Sequence, residues 1–596
     1  MMQRRILVFT ALCLTFLWCK AQTEWHNPME GDEPFINGRA WNKEIGKKSY
    51  DRMPERFKDK IPTAVWNLSH QSAGLSVTFT TNSKNIAVRY LLTNHARVAL
   101  NNVVALNTSG VDLYAIDVDG KTTFVPNMMK YTFSLNNSDT AQFTYDLKEM
   151  PVFGKRGTAY ELYLPTYNGV KWMEIGVDKG SKFAFTRVSQ EKPIVVYGTS
   201  IAHGASASRP ALIWSSMLKR KYDYPFINLG FSGNGKMENV MYDALSEIDA
   251  RVYILDCVPN CVGLTNDEFA SRVRYGVRKL RSKSDAPILF MEGNALFDNS
   301  THVHKRFKGE YQKDSVQHKV YEELKADGVK GLHYITYKEL GMTADDLIEG
   351  VHPNDLGMKK YADAYSKYLD RILVGEDTMR CYKPCVQRRD NGYEWMMRHN
   401  EILEQNRTTD PEILMIGNSI THFWGGQPDC DRKWGGKTWD KLFGKHRVTN
   451  MGMGWDRVEN VYWRLIHGEL DNCKPSQICL MIGTNNIPVN DSKEKIVSGI
   501  IDIVKLLRRR QPQAKIHVIS IYPRKDKEDV VRAINDLLEK TLEQDAFVRY
   551  HDVTSCLTLK DGSGKIDPTC FREGLHPNEK GYGNLVPAYK KILFNK

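Results

Sequence analysis

Twice along the chain, short runs built almost wholly from apolar residues alternate with amphipathic stretches of helical period. After Pro193 the runs are "IVVYG", "FINLGF", "RVYILDCV", "PILFMEG" and "LHYITY", separated by stretches such as "NDEFASRVRYGVRKLRSKS" and "DLGMKKYADAYSKYLDRIL". The scheme then starts again with "ILMIG", "RVTNMGM", "QICLMIG", "KIHVISIY" and "VRYHDV", with "KEKIVSGIIDIVKLLRRR" and "DVVRAINDLLEKTLEQ" among the helices. A strand that is apolar on both sides must be covered on both faces, so each set predicts a parallel sheet between two helical layers. Residues before about 188 follow a different rule. "LSVTFTT", "NIAVRYLLT" and "AYELYLP" alternate apolar and polar residues between Gly, Asn and Asp turns, which predicts a β-sandwich. With 596 residues the chain exceeds what one core holds. The expected organisation is a leader at 1–21, a jelly-roll-like β-sandwich at 22–188, an α/β domain at 189–376, a linker at 377–394 and a second α/β domain at 395–596.

The leader is read from "MMQRR", the 13-residue apolar run "ILVFTALCLTFLW" and the small residue Ala21, the elements of a cleavable export signal. Its apolar run is short for a membrane span, and no other stretch approaches that length. A periplasmic or secreted protein is the expectation. Two of the 11 cysteines, Cys13 and Cys19, lie in the leader, which leaves an odd number behind it. Cys381 and Cys385 flank "YKP" and are spaced for a local disulfide, whereas Cys257 and Cys261 are read as structural. The net charge is +12, but Lys and Arg are spread along the chain and the densest run, Arg508-Arg509-Arg510, ends an amphipathic stretch. These are read as solvated basic faces, and no nucleic-acid partner is expected.

The two α/β segments share more than their rhythm. Each puts Gly-x-Ser-Ile at the end of its first strand, with Ser200 in "VVYGTSIAHG" and Ser419 in "LMIGNSITHFWGG". Each has a glycine-rich turn after the second strand, "NLGFSGNG" and "NMGMGWD", and an asparagine after the third, Asn260 and Asn485. Each ends on nearly the same peptide, "EGVHPNDLG" and "EGLHPNEKG", with His352 and His576 lying 152 and 157 residues after their serines. A lone Gly-x-Ser or His-Pro is ordinarily a turn or a cap; the repeated order and spacing set these apart. In a parallel sheet the carboxyl ends of strands share one edge, where ligands bind. Serine, turn amide, asparagine and histidine meeting there are the parts for acyl transfer: a nucleophile, its general base, and donors for the tetrahedral oxyanion. His203 and His422, three residues after each serine, are read as first-turn helix residues.

These blocks resemble the SGNH (GDSL-type) hydrolases. The resemblance implies two catalytic sets without cofactor or metal. The first is Ser200, His352 and the acid Glu349, with Gly233 and Asn260 as oxyanion donors; the second is Ser419, His576 and Glu573, with Trp455 and Asn485. "GVDLY" at Gly110–Tyr114 resembles the signature of a β-sandwich that precedes some members, and "VENVYWRLIHGEL", "IGTNN" and "RRRQPQAKI" are similar to the platelet-activating-factor acetylhydrolase catalytic subunits. The chain departs from the family at Thr199 and Asn418, where an aspartate is usual, at Trp455, where a glycine is usual, and in having Glu rather than Asp before each histidine. Asp345, Asp346 and Asp567 are the alternative acids. The expected activity is an esterase that removes O-acetyl groups from an oligo- or polysaccharide such as xylan or pectin. The alternatives are a lipid or phospholipid acylhydrolase, and a single active domain joined to a glycan-binding module.

Overall fold

Alternation of side chains across the strands builds the first layer. The computed structural model describes residues 23–594 apart from 32–33, 95, 97, 117–119, 133–139, 149–157, 294–304, 376–381, 388–394 and 427–429. The leader and Cys381 lie outside the described residues. The first strands are β1 (Thr23–His26), β2 (Ser76–Thr81), β3 (Asn85–Leu92), β4 (Asp112–Ile116), β5 (Thr122–Val125), β6 (Tyr131–Thr132), β7 (Thr140–Asp146), β8 (Thr158–Tyr163), β9 (Val170–Asp178) and β10 (Phe183–Phe185). They pair antiparallel in two sheets, ordered β1-β9-β3-β7-β6 and β10-β2-β8-β4-β5. Every second residue points inward, as with Ile86, Val88, Tyr90 and Leu92 along β3, and these side chains fill the core between the sheets.

The first α/β unit has strands β11 (Ile194–Gly198), β12 (Phe226–Gly230), β13 (Val252–Asp256), β14 (Ile288–Met291) and β15 (Leu332–Ile335), all parallel in the order β12-β11-β13-β14-β15. The second repeats it with β16 (Ile413–Gly417), β17 (Val448–Gly452), β18 (Gln477–Met481), β19 (Lys515–Ile519) and β20 (Val548–His551), ordered β17-β16-β18-β19-β20. Helices cover both faces of each sheet. Asn239–Leu245, Asn266–Arg281 and Lys305–Ala326 pack on one side of the first sheet, and Trp214–Tyr222 and Asp355–Gly375 on the other. In the second unit the two sides are held by helices including Lys493–Arg510 and Glu528–Thr541, and by Gly436–Phe443 and Glu579–Phe594. In this strand order the chain turns back between the first and third strands of each sheet, so the crevice at that switch point opens beside Ser200 and Asn260 in one unit and beside Ser419 and Asn485 in the other.

The sandwich is welded to the first α/β unit. Met53, Phe57, Val65 and Trp66 from its side enter that unit's core. The buried Arg52 donates to the carbonyls of Asn228 (3.1 Å) and Gly230 (2.9 Å) at the end of β12. The second unit meets the same need from the helix Trp395–Thr409: buried Arg398 donates to Gly452 O (2.8 Å) and Asn450 O (3.0 Å) at the end of β17. The described part of the connector is also packed. Tyr382 and Val386 join the second unit's core, and Tyr382 donates to Asp491 Oδ2 (2.9 Å).

Candidate active site

Each candidate serine is the first residue of a short helix, Ser200–His203 and Ser419–Gly425. The residues that replace the usual aspartate are the caps of those helices. Thr199 Oγ1 accepts from Ile201 N (3.3 Å), and Asn418 Oδ1 accepts from Ile420 N (2.9 Å). Thr and Asn supply the cap oxygen as an aspartate does, so the turn survives the substitution. The helix must sit close to the second strand. A Cβ at Gly230 would lie 2.3 Å from His203 N, and one at Gly452 2.3 Å from His422 N, so the glycine ending each second strand is required by contact.

The histidines close onto these serines from the opposite end of each unit. Ser200 Oγ lies 2.7 Å from His352 Nε2, and Ser419 Oγ lies 2.8 Å from His576 Nε2. The other ring nitrogen faces the glutamate three residues earlier: His352 Nδ1 contacts Glu349 Oε1, and His576 Nδ1 contacts Glu573 Oε1. Two of the three alternative acids hold other partners with their carboxylates. Asp346 caps Thr343 (2.6 Å) and pairs with Lys360 (2.6 Å), and Asp567 caps Thr569 (2.9 Å). Asp345 lends its carbonyl to Asn354 Nδ2 (2.6 Å).

The glycine-rich turns share a left-handed residue at the matching position although not its residue type. Gly233 has φ +72° and Trp455 has φ +64°. A Cβ at Gly233 would meet nothing within 4 Å, whereas Trp455 carries an indole there that is 43% exposed. A bulky residue in the left-handed region costs about 1–3 kcal/mol and persists only where its surroundings hold it. Here the next residue does the holding. Asp456 is buried, accepts from Arg464 Nε (2.8 Å) and from Trp395 Nε1 (2.8 Å), and Arg464 also pairs with Glu469 and donates to Met451 O (3.0 Å). Burial raises the Asp456 carboxyl to about 7 even with Arg464 beside it. The sequence reading attached no role to Arg464 or Glu469, although both lie in "VENVYWRLIHGEL".

Each asparagine is tied to its turn by one side of the carboxamide. Asn260 is satisfied with its oxygen accepting from Asn234 N (3.1 Å) and Gly235 N (3.2 Å), which turns its NH2 away from the turn. Asn485 instead donates one N–H to Asp456 O (3.0 Å). His203 and His422 take no part in the contacts with either serine hydroxyl. Both are buried, and burial, reinforced by Arg52 and Arg398 respectively, pushes them well below the ordinary imidazole range. His203 Nε2 donates to Thr166 O (2.8 Å), and the ring stacks on Tyr167. Cys257 and Cys261 are buried free thiols beside the end of β13.

The two sites differ in their walls. Around His576 stand Phe423 and Trp434, at 5.6 and 5.1 Å between ring centroids. Arg432 lies over Phe423 and Arg572 over Trp434. Burial lowers the His576 imidazole; Glu573 opposes this, and Arg432 and Arg524 add to it. Sequence reasoning alone predicts an upward shift wherever glutamate stabilises the cation; at this histidine burial wins. A base acts when neutral, and a lowered pKa keeps it neutral to lower pH. With the first site silenced by Ser200→Ala, the acid limb of kcat/KM for the second site is expected to have its midpoint below about 6.5. A midpoint above about 7, with chemistry limiting, would contradict this assignment of the base.

Residues 191–370 match the model of a GDSL-like Lipase/Acylhydrolase family, and residues 415–583 match a second model of the same description. Residues 23–183 match a model described as the N-terminus of Esterase_SGNH_hydro-type. Among curated proteins, the chain is 33% identical to the human platelet-activating factor acetylhydrolase IB subunit alpha2 over 203 residues, 33% of this chain and 83% of that protein. It is 27% identical to the human alpha1 subunit over 225 residues, 37% of this chain and 92% of that protein. Among solved structures, a GDSL-like lipase from Bacteroides ovatus is similar at 30% identity with a TM-score of 0.52, covering 59% of this chain and 98% of its own.

Proposed function

We propose, from the premise that this chain belongs to the GDSL-like lipase/acylhydrolase family, that it is an exported serine esterase with two working sites that remove small acyl groups, acetyl foremost, from carbohydrate. One observation carries the reading. Two separate Ser–His–Glu chains, with serine-to-histidine contacts of 2.7 and 2.8 Å, each stand at the switch point of their own parallel sheet.

In each site the serine hydroxyl attacks the ester carbonyl carbon while the histidine Nε2 takes its proton. The carbonyl oxygen becomes an oxyanion facing the asparagine NH2, the amide of Gly233 or Trp455, and the helix N-terminus at the serine. Collapse of the tetrahedral adduct breaks the ester C–O bond, and the imidazolium returns the proton to the departing alcohol. Water then repeats the sequence on the acyl-serine and releases the acid. The glutamate holds the imidazole in the tautomer that presents Nε2 to the serine and stabilises its cation. Relatives named as acetylhydrolases support the small acyl group. Trp434 and Trp455, which are partly exposed, suit the stacking of a sugar ring, and Arg432 and Arg572 beside this wall suit an acidic sugar. The relatives' lipid substrate favours a second reading for the last domain, an acetyl ester on a phospholipid.

Acetate release by the purified chain from acetylated xylan, acetylated pectin and an acetylated phospholipid tests the choice. Release from a polysaccharide exceeding that from the lipid at equal ester concentration is the expected result. Release from the lipid alone would replace the carbohydrate reading with the lipid one.

A further inference from the structure

The first site is not built from its α/β unit alone. Asn102, in a turn of the β-sandwich, brings its Nδ2 to 3.3 Å from Glu349 Oε1 and 3.2 Å from His352 Nδ1. Its own carbonyl is held by Ser206 Oγ (2.7 Å), six residues past the serine, so the loop is fastened on both sides of the site. Tyr167, also from the sandwich, donates its phenol to Ser200 O (3.3 Å), and Asn107 Nδ2 donates to Gly204 O (2.7 Å). The second site has no counterpart to Asn102 among the described residues. Among the described residues, His576 is the one side chain that hydrogen-bonds Glu573, and Glu573 is 51% exposed against 39% for Glu349.

We infer that Asn102 is a positioning residue for the first site, and that the β-sandwich is therefore a working part of that site. The inference rests on the esterase reading given above. Glutamate has one more rotatable bond than aspartate, so its carboxylate has more orientations to lose, and a second hydrogen bond narrows them. A carboxylate that accepts from both His352 and Asn102 is fixed at two points and turned toward Nδ1. The amide is neutral, so it restrains the carboxylate without competing for the proton that His352 carries during the reaction. The titratable groups around the pair are Glu349 and His352 themselves, Tyr167, and the buried His203 stacked behind it.

Removing the amide has two consequences of the same sign for His352. The carboxylate loses a donor that disperses its charge, and the imidazole loses a partial positive charge at Nδ1; both favour the imidazolium. A like substitution with a charge, Asn102→Asp, adds a second carboxylate and strengthens the effect.

The test uses the full chain carrying Ser419→Ala, with 4-nitrophenyl acetate as substrate and thermal melting as the check on folding. Asn102→Ala is expected to lower kcat about tenfold with KM changed less than about twofold, since the loss is in alignment and not in ester binding. NMR titration of the His352 ring supplies a readout that does not depend on turnover. Its midpoint is expected to move upward in Asn102→Ala and further in Asn102→Asp. Asn102→Ser, which keeps a donor, is expected to recover part of both. An unchanged His352 titration in both Asn102→Ala and Asn102→Asp, in chains that melt as the parent does, overturns the positioning role. A parent that fails to hydrolyse the ester while its His352 titration still responds to Asn102 would sink the esterase reading and leave the contact standing.

Discussion

Ser200→Ala and Ser419→Ala are each expected to abolish a distinct part of the esterase activity, by roughly 10⁴-fold or more at the altered site, and the double variant to be inert. The size follows from chemistry. Alanine leaves the oxyanion donors and the pocket in place but removes the atom that forms the acyl-enzyme, so only unassisted attack by water remains. The independence follows from structure. The two serines sit on separate sheets with separate cores, and each histidine reaches only its own serine, at 2.7 and 2.8 Å. The walls differ as well, with an open turn at Gly233 and the indole of Trp455 at the matching place in the second unit, so the two fractions are expected to separate by substrate. The measurement is acetate release across a panel of acetylated glycans by each single variant. Loss of all activity in Ser200→Ala with no change in Ser419→Ala would remove the last domain from catalysis and favour a glycan-binding role for it.

The second large effect is expected at the asparagines. Asn260→Ala in the Ser419→Ala chain, and Asn485→Ala in the Ser200→Ala chain, should each lower kcat by about 10² to 10³ with KM little changed, the range found for loss of one oxyanion donor. An amide that faces charge only as it develops contributes to the transition state and hardly to the ground state. Asn485 also holds Asp456 O at 3.0 Å, next to the strained Trp455 backbone, so its loss is expected to be the larger of the two. Asn485→Asp keeps the volume and removes every N–H of the side chain, so a rate near wild type would contradict the donor assignment.

Much of this arrangement is legible in the sequence because duplication acts as its own control. Apolar runs fix the parallel sheets, and the order of Ser, turn, Asn and His then fixes which strand ends they occupy, since strand order alone decides what meets at the switch point. The glutamates are harder to read. Three residues before a histidine, a carboxylate and a cap look alike in sequence, and only the engagement of Asp346 by Thr343 and Lys360, and of Asp567 by Thr569, separates them from Glu349 and Glu573. What pattern reasoning cannot reach are contacts between distant segments with no periodicity. Arg52 and Arg398 serve the same carbonyls in the two units from unrelated surroundings, one in the sandwich and one on a helix, so no shared motif marks them. Asn102 lies 250 residues from His352 in an unremarkable "ALNNVV" turn. Trp455 shows the converse. Its sequence position marks a departure from the family, while its φ of +64° shows that the turn is kept and the strain is carried by the Asp456–Arg464 network.

The central claim is that one chain carries two activated serines. Labelling of the full chain with a fluorophosphonate, followed by peptide mass spectrometry, tests it most directly, because the probe bonds only to a serine whose hydroxyl is activated by a working base and oxyanion site. The account predicts adducts on both Ser200 and Ser419, each lost in its own alanine variant and retained in the other. An adduct on only one of these serines, or on neither, would contradict it.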